Sequence, residues 1–176
     1  YPQKYYFDNY SVKEGLSQSK VYDLIQDNDG FIWLGTASGA SLFDGNLFKN
    51  FSADDGLAEN GVSRIIQDSY GNIWFGHIGG GISVYVDGRF YKITHDSVEM
   101  NGDVTSFEED YKNRLWIGTE GSGAFRLENL SEMPEKEPVF NHFTGKSKLS
   151  DRVFQIIETS DSTLFFIIDN QMKYYN

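Results

Sequence analysis

Five side chains carry the polar groups best suited to meeting a solute: Asn60, Arg64, His77, Asp103 and Glu120. An amide, a guanidinium, an imidazole and two carboxylates can grip sugar hydroxyls, because each places donors or acceptors in one plane. His77 could also act as the general base of a lyase, with Glu120 as its partner. No companion motif supports that chemistry. Serines are plentiful but lack a nucleophile-elbow context, and the absence of cysteine excludes thiol catalysis, thiolate metal sites and disulfides. The three histidines, His77, His95 and His142, are never spaced i, i+4, so neither a zinc site nor a cofactor is expected. Asp27-Asn28-Asp29-Gly30 opens like a calcium loop, but its twelfth position is Ser38 rather than a bidentate Glu, so it reads as a hairpin turn. Gly79-Gly80-Gly81 lacks the Lys-Ser/Thr of a phosphate loop and reads as a bulge or tight connection.

Composition bounds the elements that must hold these groups. A length of 176 residues suits one domain, or one piece of a larger one, with enough core to fold without a metal or disulfide. Aromatics at 16%, with 18 glycines against 3 prolines, point to many tight turns rather than disorder. Lys+Arg is 15 and Asp+Glu is 26, and the resulting charge of −11 repels phosphate backbones and anionic lipid heads. Neither nucleic acid nor a membrane surface is therefore expected as a partner. The longest apolar run, Leu164–Ile168, is far short of the ~20 residues of a membrane span, and no charged-then-apolar leader opens at Tyr1.

The chain repeats itself. Trp33, Trp74 and Trp116 lie 41 and 42 residues apart, each inside one recurring phrase: VYDLIQDNDGFIWLGT, VSRIIQDSYGNIWFGH and VTSFEEDYKNRLWIGT. A decayed fourth copy, VFQIIETSDSTLFFII, places Phe165 at the tryptophan position, after a polar insertion at Glu128–Pro138. Each copy reads as four short strands. The first ends in Asp27, Asp68 or Asp110, which starts a hairpin turn. The second carries the tryptophan and ends at Gly35, Gly76 or Gly118, where close backbone approach is allowed. A third strand and an Asp-Gly turn lead to an aromatic fourth.

Units of this length, with four antiparallel strands and a tryptophan in each, predict an all-β propeller with four blades' worth of sheet in this chain. One blade cannot bury its two apolar faces alone; stacking about an axis buries both, with the indole as the wedge. A β-sandwich would not keep the period. The spacing predicts a lone outer strand at residues 5–10, then blades at 21–51, 62–93 and 104–143 and a partial blade at 153–175. The ends are complementary, an outer strand at the start and three strands at the finish. The chain could therefore close on itself as a small ring, exchange end strands with a second copy in an eight-blade ring, or form an arc of a longer array. The loops entering each first strand, and those joining second to third strands, gather on one rim that carries Asn60, His77, Asp103 and Glu120, while Arg64, on a first strand, could line the axis or pair with a neighbouring acid.

The pattern Gly15-Leu16, Val21, Asp27, Gly30, Trp33, Gly35-Thr36, Gly39, Asp44-Gly45 and Phe48 resembles the two-component regulator propeller repeat, and it recurs from Gly56-Leu57 to Phe90. The third copy departs from it, with Asn101-Gly102 read in place of Gly-Leu and Asn113 in place of the turn glycine. The resemblance implies the N-terminal portion of a periplasmic sensor of hybrid two-component histidine kinases, or a truncated relative, detecting oligosaccharides without catalysis of its own. A structural or oligomerising segment is the alternative, and a lyase using His77 a further one.

Overall fold

The computed structural model describes residues 7–94, 99–144, 149–169 and 171–175. Fifteen strands form four separate antiparallel sheets, each a simple meander. Blade 1 comprises β1 (Val21–Gln26), β2 (Ile32–Thr36), β3 (Gly39–Phe43) and β4 (Phe48–Phe51). Blade 2 comprises β5 (Val62–Gln67), β6 (Ile73–His77), β7 (Ile82–Val86) and β8 (Arg89–Ile93). Blade 3 comprises β9 (Val104–Glu109), β10 (Leu115–Thr119), β11 (Ala124–Glu128) and β12 (Val139–Phe143). Blade 4 has only three strands: β13 (Val153–Glu158), β14 (Leu164–Ile168) and β15 (Gln171–Tyr175). The fold is thus the all-β propeller arrangement expected from the period, with the fourth blade one strand short.

The first strands pack in succession, β1 on β5, β5 on β9 and β9 on β13. Each carries an irregularity in its ladder near the start, between Val21 and Asp23, Val62 and Arg64, Val104 and Ser106, or Val153 and Gln155. Such bulges re-aim side chains and sharpen twist. The re-aimed groups brace the next blade: Ser63 Oγ donates to Val104 O, and Thr105 Oγ1 to Val153 O.

The repeated Asp and Trp form one device. Indole Nε1–H donates to the carboxylate of Asp27, Asp68 or Asp110 at 2.9, 2.8 and 2.8 Å. The other carboxylate oxygen accepts backbone N–H groups across the turn, from Asp29 and Phe31, Tyr70 and Asn72, or Lys112 and Arg114. One side chain therefore closes the hairpin and aims the tryptophan. Burial alone would raise the Asp110 carboxyl; the Arg114 guanidinium and the Trp116 N–H outweigh it and hold the group below its usual range. All three indoles are buried, and two meet rings of the next blade: Trp33 meets Phe75 at 5.3 Å and Tyr85 at 5.0 Å, and Trp116 meets Phe166 at 5.4 Å. These contacts cross from one blade to the next.

Two residues after each tryptophan, the glycine is required by space. A Cβ on Gly35 would stand 2.7 Å from Val62 Cγ1, and one on Gly118 would stand 3.0 Å from Val153 Cγ1. Gly76 faces Val104 in the same way. The valine opening each first strand thus enters a notch in the preceding blade. Asn113 replaces the turn glycine without distortion, because asparagine tolerates the left-handed φ of 56° found there.

Of the expected outer strand at residues 5–10, the described residues 7–10 are in no strand, and Tyr5 and Tyr6 lie outside the described residues. Tyr10 instead packs its ring on blade 1, 4.7 Å from Phe43 and 6.2 Å from Phe48. Phe51 makes the equivalent contacts with Tyr85 and Phe90 of blade 2. The aromatic anchor keeps its place, but no sheet edge lies beside it to supply a ladder. Leu24 at one end, and Ile157, Ile167, Met172 and Tyr174 at the other, are exposed. Among the described residues, therefore, the outward faces of blades 1 and 4 are not covered at these positions.

Candidate ligand-binding rim

The loops entering the first strands and those joining second to third strands lie on one rim and are stitched together by backbone bonds. Ile78 N–H donates to Gly61 O, Gly102 N–H to Gly79 O, Glu120 N–H to Asp103 O, and Gly121 and Gly123 N–H to Asp151 O. Successive blades thereby share one continuous loop surface. The Gly79-Gly80-Gly81 run is a second-to-third strand connection in which all three φ angles are positive, at 86°, 119° and 81°.

The five expected residues divide on this surface. Asp103 accepts the Gly79 N–H on Oδ1 at 2.8 Å, and among the described residues its Oδ2 has no partner. Glu120 pairs through Oε1 with Arg152 at 2.8 Å and is exposed. Arg64 finds no acid: its Nε donates to Thr105 O and its Nη1 to Ser63 O, so it braces β5 against β9. Asp103 and Arg64 thus reach across the seam between blades 2 and 3, and Glu120 across the seam between blades 3 and 4. Asn60 is tied elsewhere, its Oδ1 accepting the Ala53 N–H at 2.9 Å, and its amide N–H2 is unpartnered among the described residues.

His77 is not on the rim surface. It is fully buried, with Nδ1 3.2 Å from Gly61 O and Nε2 2.7 Å from Ser83 Oγ. Thr36 and Thr119 fill the corresponding places with hydroxyls bonded to Gly39 O and Gly123 O. His77 is a larger member of the same internal brace. Burial drives its pKa from 6.5 down to about 4, against a smaller raising effect of the Gly61 carbonyl. It is neutral at pH 7 and enclosed within the fold. Its departure from the repeat is visible in sequence, but that it points inward is fixed by the packing of Gly61 and Ser83. His95 lies outside the described residues.

The sequence reading missed a cavity of about 490 Å³ between blades 2 and 3. It is lined by Glu59, Ile93, Glu99, Met100 and Phe140, and by the Gly79–Gly81 run. The signal was present in the spacing to tryptophan. Leu16 and Leu57 each precede a tryptophan by 17 positions, and 17 before Trp116 stands Glu99. The third copy's counterpart of the leucine is therefore Glu99, and Asn101-Gly102 has a different task. Asn101 bridges Gly80 and donates its N–H to Ser122 Oγ.

Comparison with known proteins agrees with this geometry. The two-component regulator propeller family matches residues 15–38, 56–79 and 99–121. Histidine kinase P4 of Formosa agariphila is 45% identical over 42 residues, which is 24% of this chain and 3% of that kinase. The extracellular domain of BT3049 from B. thetaiotaomicron, named as a hybrid two-component system, superposes with a TM-score of 0.70 at 19% identity, over 95% of this chain and 22% of that one. Virginiamycin B lyase from Staphylococcus aureus superposes with a TM-score of 0.66 at 15% identity, over 92% of this chain and 57% of that one. At such identities the likeness is one of fold. The chain spans only a small part of the sensor relatives it matches.

Proposed function

We propose that this chain, three stretches of which match the two-component regulator propeller family, is a non-catalytic, extracytoplasmic sensing segment of a two-component signalling protein whose rim recognises an oligosaccharide. The observation that carries the reading is the stitched rim. Loops of blades 2, 3 and 4 are held by backbone bonds rather than left free, and they present Asp103 and Glu120 with unused carboxylate oxygens. Asn60 adds an unused amide along the same surface. Ligand sites are usually largely pre-formed, with a small number of fixed polar groups setting orientation. Extracytoplasmic placement is supported by the likeness to an extracellular sensor domain. The burial of His77 removes the group on which a lyase reading would depend.

A thermal-shift screen of monosaccharides and oligosaccharides tests the proposal. A recognised sugar at a hundredfold excess over its dissociation constant stabilises the fold by about 2.7 kcal/mol. Asp103→Ala should remove the shift while leaving the sugar-free protein folded. If no sugar moves the melting temperature, the rim reading fails. The structural reading, in which the segment assembles with further sheet or a second copy, is favoured by the exposed apolar faces of blades 1 and 4. Light scattering that gives the mass of two chains would favour strand exchange, whereas the mass of one chain would eliminate it.

A further inference from the structure

The seams between successive blades are one interface repeated, and blade 1 carries half of another. Val62, Ile65 and Phe75 of blade 2 share one core with Trp33 of blade 1. Val104, Phe107 and Ile117 of blade 3 share one with Trp74, and Val153, Ile156 and Phe166 of blade 4 share one with Trp116. Each set is the valine that opens a first strand, the apolar residue three positions on, and the residue that follows the tryptophan position of the second strand. All are buried, at 9% exposure or less. The same positions in blade 1 are Val21, Leu24 and Leu34. Val21 is 36% and Leu24 60% exposed, and Leu34 is half-buried. This face has the composition of a seam and, among the described residues, lacks its other half.

What such a face receives is constant: an indole and, two residues beyond it, a glycine whose notch the valine enters. The surround of the indole is already assembled on blade 1. Trp33 lies against the rings of Phe51, Tyr85 and Phe90, at 5.7, 5.0 and 6.4 Å. Their counterparts on blade 1 are Tyr10, Phe43 and Phe48, which pack on one another. Trp33, Trp74 and Trp116 are all buried in internal seams, so a second copy could offer only the outward face of blade 4. There Phe165 stands at the indole position, and Ile167 puts a branched side chain where Val21 requires a glycine. We propose that the outward face of blade 1 is a docking surface for a further β-sheet whose second strand carries Trp-x-Gly, the indole seated beside Tyr10, Phe43 and Phe48 and the glycine receiving Val21, and that Ile167 bars a second copy from that place. The proposal rests on the structural reading of the exposed end faces, and it is independent of sugar binding at the rim.

Sedimentation across a concentration series tests both parts. The wild-type protein should keep the mass of one chain. Thr159→Asp, Phe165→Trp and Ile167→Gly together rebuild the held indole and the notch on blade 4. That variant should associate head to tail and at least double its mass, since a heterologous contact need not stop at two copies. Adding Leu24→Asp buries an unpaired charge in the new seam and should return the mass to one chain. A rebuilt variant that stays at one chain, or that associates undiminished with Leu24→Asp, would overturn the proposal. So would wild-type association that Leu24→Asp disperses, because a second copy would then be the occupant and the structural reading would stand without this assignment. Should the triple variant misfold, Ile167→Gly alone, a change at an exposed position, decides the matter. It should associate with rising concentration unless Leu24→Asp is present, and the mass of one chain at every concentration would overturn the proposal.

Discussion

Blades 2 and 4 share the same first-strand bulge and the same pairing of their first three strands, yet they differ at each position that locks a blade. In blade 2, Asp68 closes the turn and holds Trp74. In blade 4 the pair is Thr159 and Phe165; the threonine hydroxyl closes the turn onto Thr163 O and Asp161, and the phenyl ring, which has no N–H to donate, meets the Tyr174 ring of its own blade at 6.4 Å. Gly76 leaves the notch that Val104 enters, whereas the same position in blade 4 is Ile167, which is exposed and fills any notch. His77 becomes Ile168. The strand register thus survives on the apolar skeleton alone: Val153, Ile156, Leu164 and Phe166 are still buried against blade 3. The Asp–Trp pair and the glycine notch are a separate layer of information, which determines how firmly a blade holds its hairpin and receives its successor.

Substitutions at matched positions can break this comparison. The largest effect is expected at the wedge. Trp74→Ala should cost about 3–5 kcal/mol in chemical denaturation, and Phe165→Ala about 1 kcal/mol, since its half-buried ring gives up only part of a full burial. Equal losses would mean that the indole carries no special burden.

A pH series follows in size. Below pH 6.5 the unfolded chain takes up a proton at His77 that the folded protein refuses until about pH 4. Stability should therefore fall as pH drops from about 6.5 to about 4, by about 3 kcal/mol, and then level off for this group. His77→Thr, which restores the residue of the neighbouring copies, should remove that loss. Identical pH profiles for the two proteins would place the imidazole in water.

The notch comes next. Gly76→Ala forces a methyl against Val104 and should cost about 1–3 kcal/mol, whereas Ile167→Ala on the exposed face should stay within about 0.5 kcal/mol. The smallest and most constructive change is Thr159→Asp combined with Phe165→Trp. Rebuilding the lock in blade 4 should contribute about 1 kcal/mol from the new carboxylate–indole hydrogen bond.

Much of this fold was legible because its signals are local and repeated. The Asp–Trp spacing, the glycine two residues beyond and the turn at Asn113 each depend on residues within a few positions of one another. What was not legible depends on neighbours in space. His77 reads as a polar rim residue until Gly61 and Ser83 are seen to enclose it. The segment at residues 5–10 has the aromatics of an outer strand, but a ladder needs a partner edge, and among the described residues 7–10 the Tyr10 ring contacts with Phe43 and Phe48 are what anchors it. The cavity at Glu99 lay between the two cases. Its spacing is plain in the sequence, but that the matching leucines, Leu57 and Leu149, are core residues appears only in the packing.

Hydrogen exchange at the three indole N–H groups, followed by NMR, tests the radial stack with its carboxylate-held wedges most directly. All three should be strongly protected, and Asp68→Ala should release Trp74 alone while Trp33 and Trp116 remain protected. Three indoles that exchange as fast as free tryptophan in the folded protein would contradict the account.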